Sequence, residues 1–257
     1  MILTVSHISF IINKNSPYKV DLEDYLKKND FMVNGFFEGV KNPQIKSKFC
    51  RRFSPIHDLC LWKDRIGNQF EIVYLEGITE NFSPSFYPIS KCASFEVGEK
   101  KPVSTEGKSK RIESVFGRIY SLGTFSNEGL FGVLYETTDI EASLCLWTAV
   151  GFTLVTSNLE KAILEFRSIT GKAFNLVLIK ISEDNQNNIP YFDQPGLRSI
   201  AVVATDIREA QKRILELGFT TTPVDEVTVG TNRFEVAFIF GKNNEIIEIL
   251  KLTKRNF

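Results

Sequence analysis

The feature that most restricts this chain is a segment that occurs twice. Residues 138–152 run Thr-Asp-Ile, ten residues, Gly-Phe, and residues 205–219 repeat that pattern 67 positions later. A β-type run precedes each copy, Leu130–Glu136 and Leu197–Ala204. Asp139 and Asp206 stand where a helix N-cap accepts backbone N–H bonds. Gly151 and Gly218 stand where the chain must leave that helix left-handed. Between them, Leu144, Trp147 and Val150 recur at helical spacing, as do Ala210, Ile214 and Leu217. After the glycine both copies return to strand composition. The first gives Phe152–Thr156, Ala162–Ile169 and Phe174–Ile181; the second gives Phe219–Thr222, Phe234–Phe240 and Glu245–Leu252. Each copy therefore reads β-α-β-β-β. Gly241-Lys242-Asn243-Asn244 suits the last hairpin turn of the second copy, because asparagine tolerates positive φ; Thr170-Gly171-Lys172 is its counterpart in the first.

The N-terminal 76 residues read as a third, more diverged unit. Val5–Ile12 is its first strand, Asp21–Lys28 a short helix, and Phe31–Phe37, His57–Trp62 and Gln69–Leu75 its later strands. Residues 77–129 fit less well, with Pro84, Pro88, Pro102, a polar stretch from Gly98 to Lys110, and strand-like pieces at Ala93–Val97 and Ile112–Leu122. They are either a degenerate fourth unit without its helix or an extended linker. The first is preferred, since an isolated module leaves a sheet edge uncovered. The expected organisation is an N-terminal domain, 1–129 (module 1–76 plus the degenerate module or linker 77–129), and a C-terminal domain, 130–257, with modules 130–181 and 195–252.

Composition narrows the function. Thirty-one basic and 31 acidic residues leave no net charge, which argues against a nucleic-acid partner or an acidic membrane surface. The four cysteines show no C-x-x-C or disulfide-framework spacing and read as reduced thiols. No apolar run approaches membrane-spanning length and the start lacks a secretion-signal pattern, so the expected location is cytoplasmic. Two histidines exclude any site that needs three imidazoles from one chain.

The modules also carry more specific residues. In the first, these are Ser6-His7-Ile8-Ser9-Phe10 and Asp64-Arg65-Ile66-Gly67-Asn68-Gln69-Phe70-Glu71-Ile72. In the last, they are Leu197-Arg198-Ser199-Ile200-Ala201-Val202, Asp206, and Asn244-Glu245-Ile246-Ile247-Glu248-Ile249. This pattern resembles the vicinal oxygen chelate superfamily, which includes glyoxalase I, bleomycin-resistance proteins and extradiol dioxygenases. The resemblance implies an α+β, glyoxalase-like fold: tandem βαβββ modules paired into curled mixed sheets around clefts. It also implies metal ligands from the first strand (His or Gln) and last strand (usually Glu) of each module. His7 and Glu71 match. The middle module offers Gly132 and Val177 or Leu178, which cannot ligate. The last offers Ser199 in place of His, with Glu248 matching.

Two functions from different classes follow. In one, His7 and Glu71 hold a divalent metal (Mn, Fe or Zn), and Glu71 or a neighbouring carboxylate shuttles a proton in a lyase or isomerase acting on a substrate with adjacent oxygens. The missing ligands are expected from residues 77–129, with Glu96 and Glu113 as candidates, or from another subunit, which would make the protein a homodimer. In the other, the chain is a metal-free small-molecule binding or resistance-type protein, or a metal-free enzyme on the same fold. Ser199 and Glu248 are then its polar contacts, in a cleft between the middle and C-terminal modules. A protein-interaction module with no small-molecule site is the blandest alternative. His57 is off-pattern and expected at the surface or in a turn. Arg51 and Arg52 are expected as exposed charges rather than as a clamp on a substrate anion.

Overall fold

The computed structural model describes residues 1–28, 30–65, 67–78, 86–90, 92–94, 120–121, 123–124, 132–169, 171, 173–182 and 191–255. The first unit is β1 (Ile2–Asn13), α1 (Lys19–Lys28), β2 (Met32–Lys41), β3 (Ile56–Lys63) and β4 (Gln69–Leu75), with a 3-10 helix at Gln44–Phe49 between β2 and β3. Four short strands follow: β5 (Phe86–Ser90), β6 (Cys92–Ser94), β7 (Tyr120–Ser121) and β8 (Gly123–Thr124). The middle unit is β9 (Gly132–Thr137), α2 (Ile140–Ala149), β10 (Thr153–Ser157), β11 (Lys161–Arg167) and β12 (Ala173–Lys180). The last is β13 (Gly196–Ala204), α3 (Ile207–Glu216), β14 (Thr220–Thr221), β15 (Asp225–Val229), β16 (Asn232–Phe240) and β17 (Ile246–Arg255). The fold is thus α+β and strand-rich. Strand β15 had no counterpart in the sequence reading.

The repeat forms the caps its residues imply. Asp139 accepts the Ala142 amide at 3.0 Å and Asp206 the Glu209 amide at 3.1 Å. Gly151 and Gly218 end their helices at φ 99° and 81°, and Asn244 turns at φ 70°. Behind α2, Trp147 meets Phe152 edge-on at 5.2 Å, and Phe152 meets Phe166 at 5.4 Å. Burial of each such ring contributes about 1.5–3 kcal/mol. One apolar core draws on all three units, including Phe10, Leu26, Trp147, Leu164, Ile200 and Ile249.

The modules do not pair in chain order. Strand β1 runs antiparallel to β13, with Ser9 opposite Ser199 and His7 opposite Ala201. This joins the first and last units in one mixed sheet, ordered β14-β16-β17-β13-β1-β4-β3-β2 with β15 on β16. The expected pairing of the middle with the C-terminal module is replaced by pairing of the first with the last. The physical reason lies in the edges. Both β1 and β13 are long first strands whose inner edges are free to pair, and β1 runs along most of β13. The middle unit instead forms a second sheet, β10-β11-β12-β9-β5-β7. There β5 lies antiparallel to β9 and parallel to β7, as β1 lies to β13 and β4. This strand order echoes a module pair. Glu96 and Glu113 fall outside the described residues.

The large sheet curls. Phe37 on β2 meets Val227 and Val229 on β15 in an apolar cluster with Leu59, Val73 and Leu75. On the other side, Phe49 meets Phe192 and Phe240, and Phe192 meets Phe238. The segment carrying Phe192 is strapped down by Asp193, whose carboxylate accepts the Arg51 and Arg52 amides at 2.8 and 2.6 Å. A polar island lies on the concave face between these two apolar clusters.

Candidate metal centre

Strand parity builds this island. On β1, His7, Ser9 and Ile11 share the concave face. Glu71 on β4 is in register with Ser9, and Glu248 on β17 is in register with Ala201. Because Ala201 lies opposite His7, the antiparallel β1–β13 seam brings Glu248 to the same imidazole as Glu71. Nε2 of His7 lies 3.4 Å from Glu71 Oε2 and 3.8 Å from Glu248 Oε2, and one donor atom from each of the three residues lies within 4.8 Å of the others. The third candidate ligand, and the second carboxylate, is thus Glu248 of the same chain; the expected donors Glu96 and Glu113 lie outside the described residues. Sequence reasoning placed Glu248 in a different cleft because residue order does not reveal which modules share a seam.

The surroundings hold each group in place. Ser9 Oγ donates to Glu71 Oε1 at 2.9 Å, turning the other oxygen toward His7. Ser6 Oγ lies 3.1 Å from His7 Nδ1. With the ring hydrogen on Nδ1 donated to Ser6, Nε2 presents a lone pair. His7 is only 6 % exposed, and its Nε2 makes no hydrogen bond among the described residues. At 3.4–3.8 Å the carboxylates act on it through charge. Burial alone would lower the His7 pKa, but Glu71 and Glu248 outweigh it and hold the ring above the ordinary imidazole range. Burial would likewise raise Glu248. The imidazole and the Lys46 ammonium overcome this and keep its carboxyl below the usual glutamate range.

A divalent cation fits this set. Ligands about 2.1 Å from one ion lie about 3.0–4.2 Å apart, which spans the two measured separations. One imidazole and two carboxylates suit Mn²⁺, Fe²⁺ or Zn²⁺, and the buried nitrogen without a hydrogen bond supplies the lone pair such an ion needs. The fourth position follows from the register. Two residues before Ser9 is His7; two before Ala201 is Ser199, which is buried beside Ser9. In the middle unit the same positions are Gly132 and Val177, since Val177 is in register with Leu134. A Cβ at Gly132 would sit 1.9 Å from the Asn175 carbonyl oxygen, so no ligating side chain fits there.

Two residues outside the motif face the island. His57, expected at the surface, is 9 % exposed and alternates with Leu59 and Leu61, the latter opposite Glu71. Burial and the Lys46 charge push its pKa down to about 3, leaving a neutral ring, and its Nδ1 has no hydrogen-bond partner among the described residues. Parity with Leu61 was the signal that could have placed it. Lys46, on the 3-10 helix, had none. Arg51 and Arg52 are exposed, as expected.

No family model matches the sequence, and no curated protein matches it. Among solved structures, a putative dioxygenase from Bacillus subtilis aligns over 99 % of this chain and 64 % of its own, at 15 % identity and a TM-score of 0.39. This chain thus spans less than two thirds of that protein's length. A glyoxalase/bleomycin resistance protein/dioxygenase from Alicyclobacillus acidocaldarius aligns over 48 % of this chain and 91 % of its own, at 15 % identity and a TM-score of 0.38. A glyoxalase I mutant from Zea mays aligns over 97 % and 68 %, at 12 % identity and a TM-score of 0.36. The glyoxalase-like fold itself is read from this chain's own strand order and register.

Proposed function

We propose that His7, Glu71 and Glu248 hold a divalent cation, and that the protein is a metal-assisted lyase or isomerase acting on a small molecule with adjacent oxygens. The observation that carries this reading is the buried His7 Nε2, which has no hydrogen bond among the described residues and faces two carboxylates at 3.4 and 3.8 Å. When bound, such an ion supplies Lewis acidity toward paired substrate oxygens. The rest falls to the chain. Ser9 and Ser6 fix the orientations of Glu71 and His7. Phe49, Phe192, Phe238 and Phe240 exclude water on one side. A carboxylate oxygen of Glu71 or Glu248 that the ion would not take would accept or return a proton. Ser199, at the position that matches His7 by register, would offer its hydroxyl to a water or a substrate oxygen. No described helix is long and apolar enough to cross a membrane.

A second reading is supported by the same geometry. A protonated His7 between the two carboxylates forms a self-sufficient ion-paired cluster, consistent with its raised pKa. The protein would then be a metal-free binder or enzyme with Ser199 and Glu248 as polar contacts. Thermal melting separates the two. Under the metal reading, Mn²⁺ or Zn²⁺ raises the melting temperature, chelator reverses it, and the effect is lost in Glu248→Ala. Indifference to both ions, with small-molecule stabilisation that persists in chelator, would favour the second.

A further inference from the structure

We propose that Lys46 is the anion-binding residue of this site, and that the molecule taken up is a small organic acid with a single negative charge and an apolar body. This rests on the divalent-cation reading above.

Geometry aims Lys46 inward. Its 3-10 helix is anchored by Ile45 and Phe49 in the apolar cluster that contains Phe192, Phe238 and Leu250. The ammonium sits 5.0 Å from the Phe238 ring centroid and 5.3 Å from that of Phe192. Phe238 is the cross-strand neighbour of Glu248, so the charge stands over the strand pair that carries a ligand. Its field reaches His7, His57 and Glu248. Yet Lys46 forms no ion pair among the described residues, whereas Lys14 meets Asp58 at 2.8 Å and Lys251 meets Glu235 at 3.1 Å.

Charge balance gives the substrate class. A ligating His7 is neutral, because its lone pair must be free. Two carboxylates cancel a divalent cation. The Lys46 ammonium, over the Phe192 and Phe238 rings, then remains as a positive charge with no carboxylate paired to it among the described residues. A monoanion cancels it. The rings of Phe49 and Phe240, stacked at 4.1 Å, and of Phe192 and Phe238, edge-on at 4.7 Å, provide the apolar wall.

The test uses salicylate and its neutral analogue salicylamide at pH 7, titrated by calorimetry into the Mn²⁺-loaded protein, with Mn²⁺ affinity measured first. Lys46→Met is expected to weaken salicylate binding by about tenfold or more while leaving salicylamide unchanged. The same variant should bind Mn²⁺ as tightly as the wild type or more tightly, because a repelling charge has gone. Lys46→Arg should keep the salicylate preference. A purely structural role for Lys46 would weaken both ligands and the metal together, and that result overturns the proposal. So does a Lys46→Met protein that still prefers salicylate by the wild-type margin. If the wild type binds no Mn²⁺, the cation reading fails and this proposal with it. If Mn²⁺ binds but salicylate has no advantage, only the Lys46 assignment fails.

Discussion

Replacing His7 with alanine probes both the cluster and its proposed ion. In the metal-free protein, the imidazole lies between carboxylates whose side chains are only 14 % and 11 % exposed. At an effective dielectric of about 20, an imidazolium at those separations gains about 4–5 kcal/mol from each carboxylate, before the cost of desolvation. Breaking a buried cluster of this kind costs about 3–5 kcal/mol net. His7→Ala should therefore lower metal-free stability by that amount near pH 6. The sign follows from the raised pKa of His7: its contribution is complete below the unfolded value of 6.5 and fades as pH rises through the folded value. Metal adds a second signature. At a free ion concentration of about 100 times Kd, the wild type gains about 2.7 kcal/mol. If loss of one of three protein ligands weakens binding by about 100-fold, the variant gains only about 0.4 kcal/mol at that concentration. For a chain of this size that difference amounts to several degrees of melting temperature. The assay is thermal or urea unfolding at pH 6, with EDTA and then with Mn²⁺. Equal metal-induced stabilisation of both proteins would refute a ligand role for His7. An unchanged stability in EDTA would refute the ion-paired cluster.

Three further predictions follow from other parts of the fold. Ser199→His places a second imidazole at the position related to His7 by register, and should tighten Mn²⁺ or Zn²⁺ binding by about tenfold or more, measured by competition with a chelating dye. Glu245 is fully buried, bonded to Ser143 Oγ and the Asn243 amide, and burial raises its pKa. The folded state therefore holds its proton longer than the unfolded chain does, and stability is lost as pH rises through the folded value. Glu245→Gln should flatten that part of the stability–pH curve and gain relative to wild type between pH 4 and 7 in urea titrations. Asp193→Ala removes a carboxylate that accepts two consecutive amides, and should cost about 1.5–3 kcal/mol. Faster hydrogen exchange at Arg51 and Arg52 would report release of the Phe192 strap.

The parts of the fold written in local chemistry were legible in the sequence. Asp139, Asp206, Gly151 and Gly218 each act within a few residues of themselves, so the repeat revealed helices and turns directly. His7 and Glu71 were legible because both belong to one module and meet through an adjacent parallel strand pair. Glu248 was identified as a site residue but assigned to the wrong cleft. Its meeting with His7 depends on a seam between strands almost 200 residues apart, and β1, β9 and β13 are all apolar first strands that could each have made it. The same seam removes the reason to expect a second subunit, since the partner module lies in this chain. Lys46 was illegible for a different reason. It lies on an irregular connection with no periodicity, and only the packing of Ile45 and Phe49 turns it inward.

The central claim is that His7, Glu71 and Glu248 bind a metal ion, and elemental analysis of protein purified without chelator tests it most directly. The expected result is a stoichiometric divalent metal in the wild type, lost in His7→Ala and in Glu248→Ala while both variants remain folded. Wild-type protein that carries no metal, and takes none up when dialysed against Mn²⁺, Fe²⁺ or Zn²⁺, would contradict it.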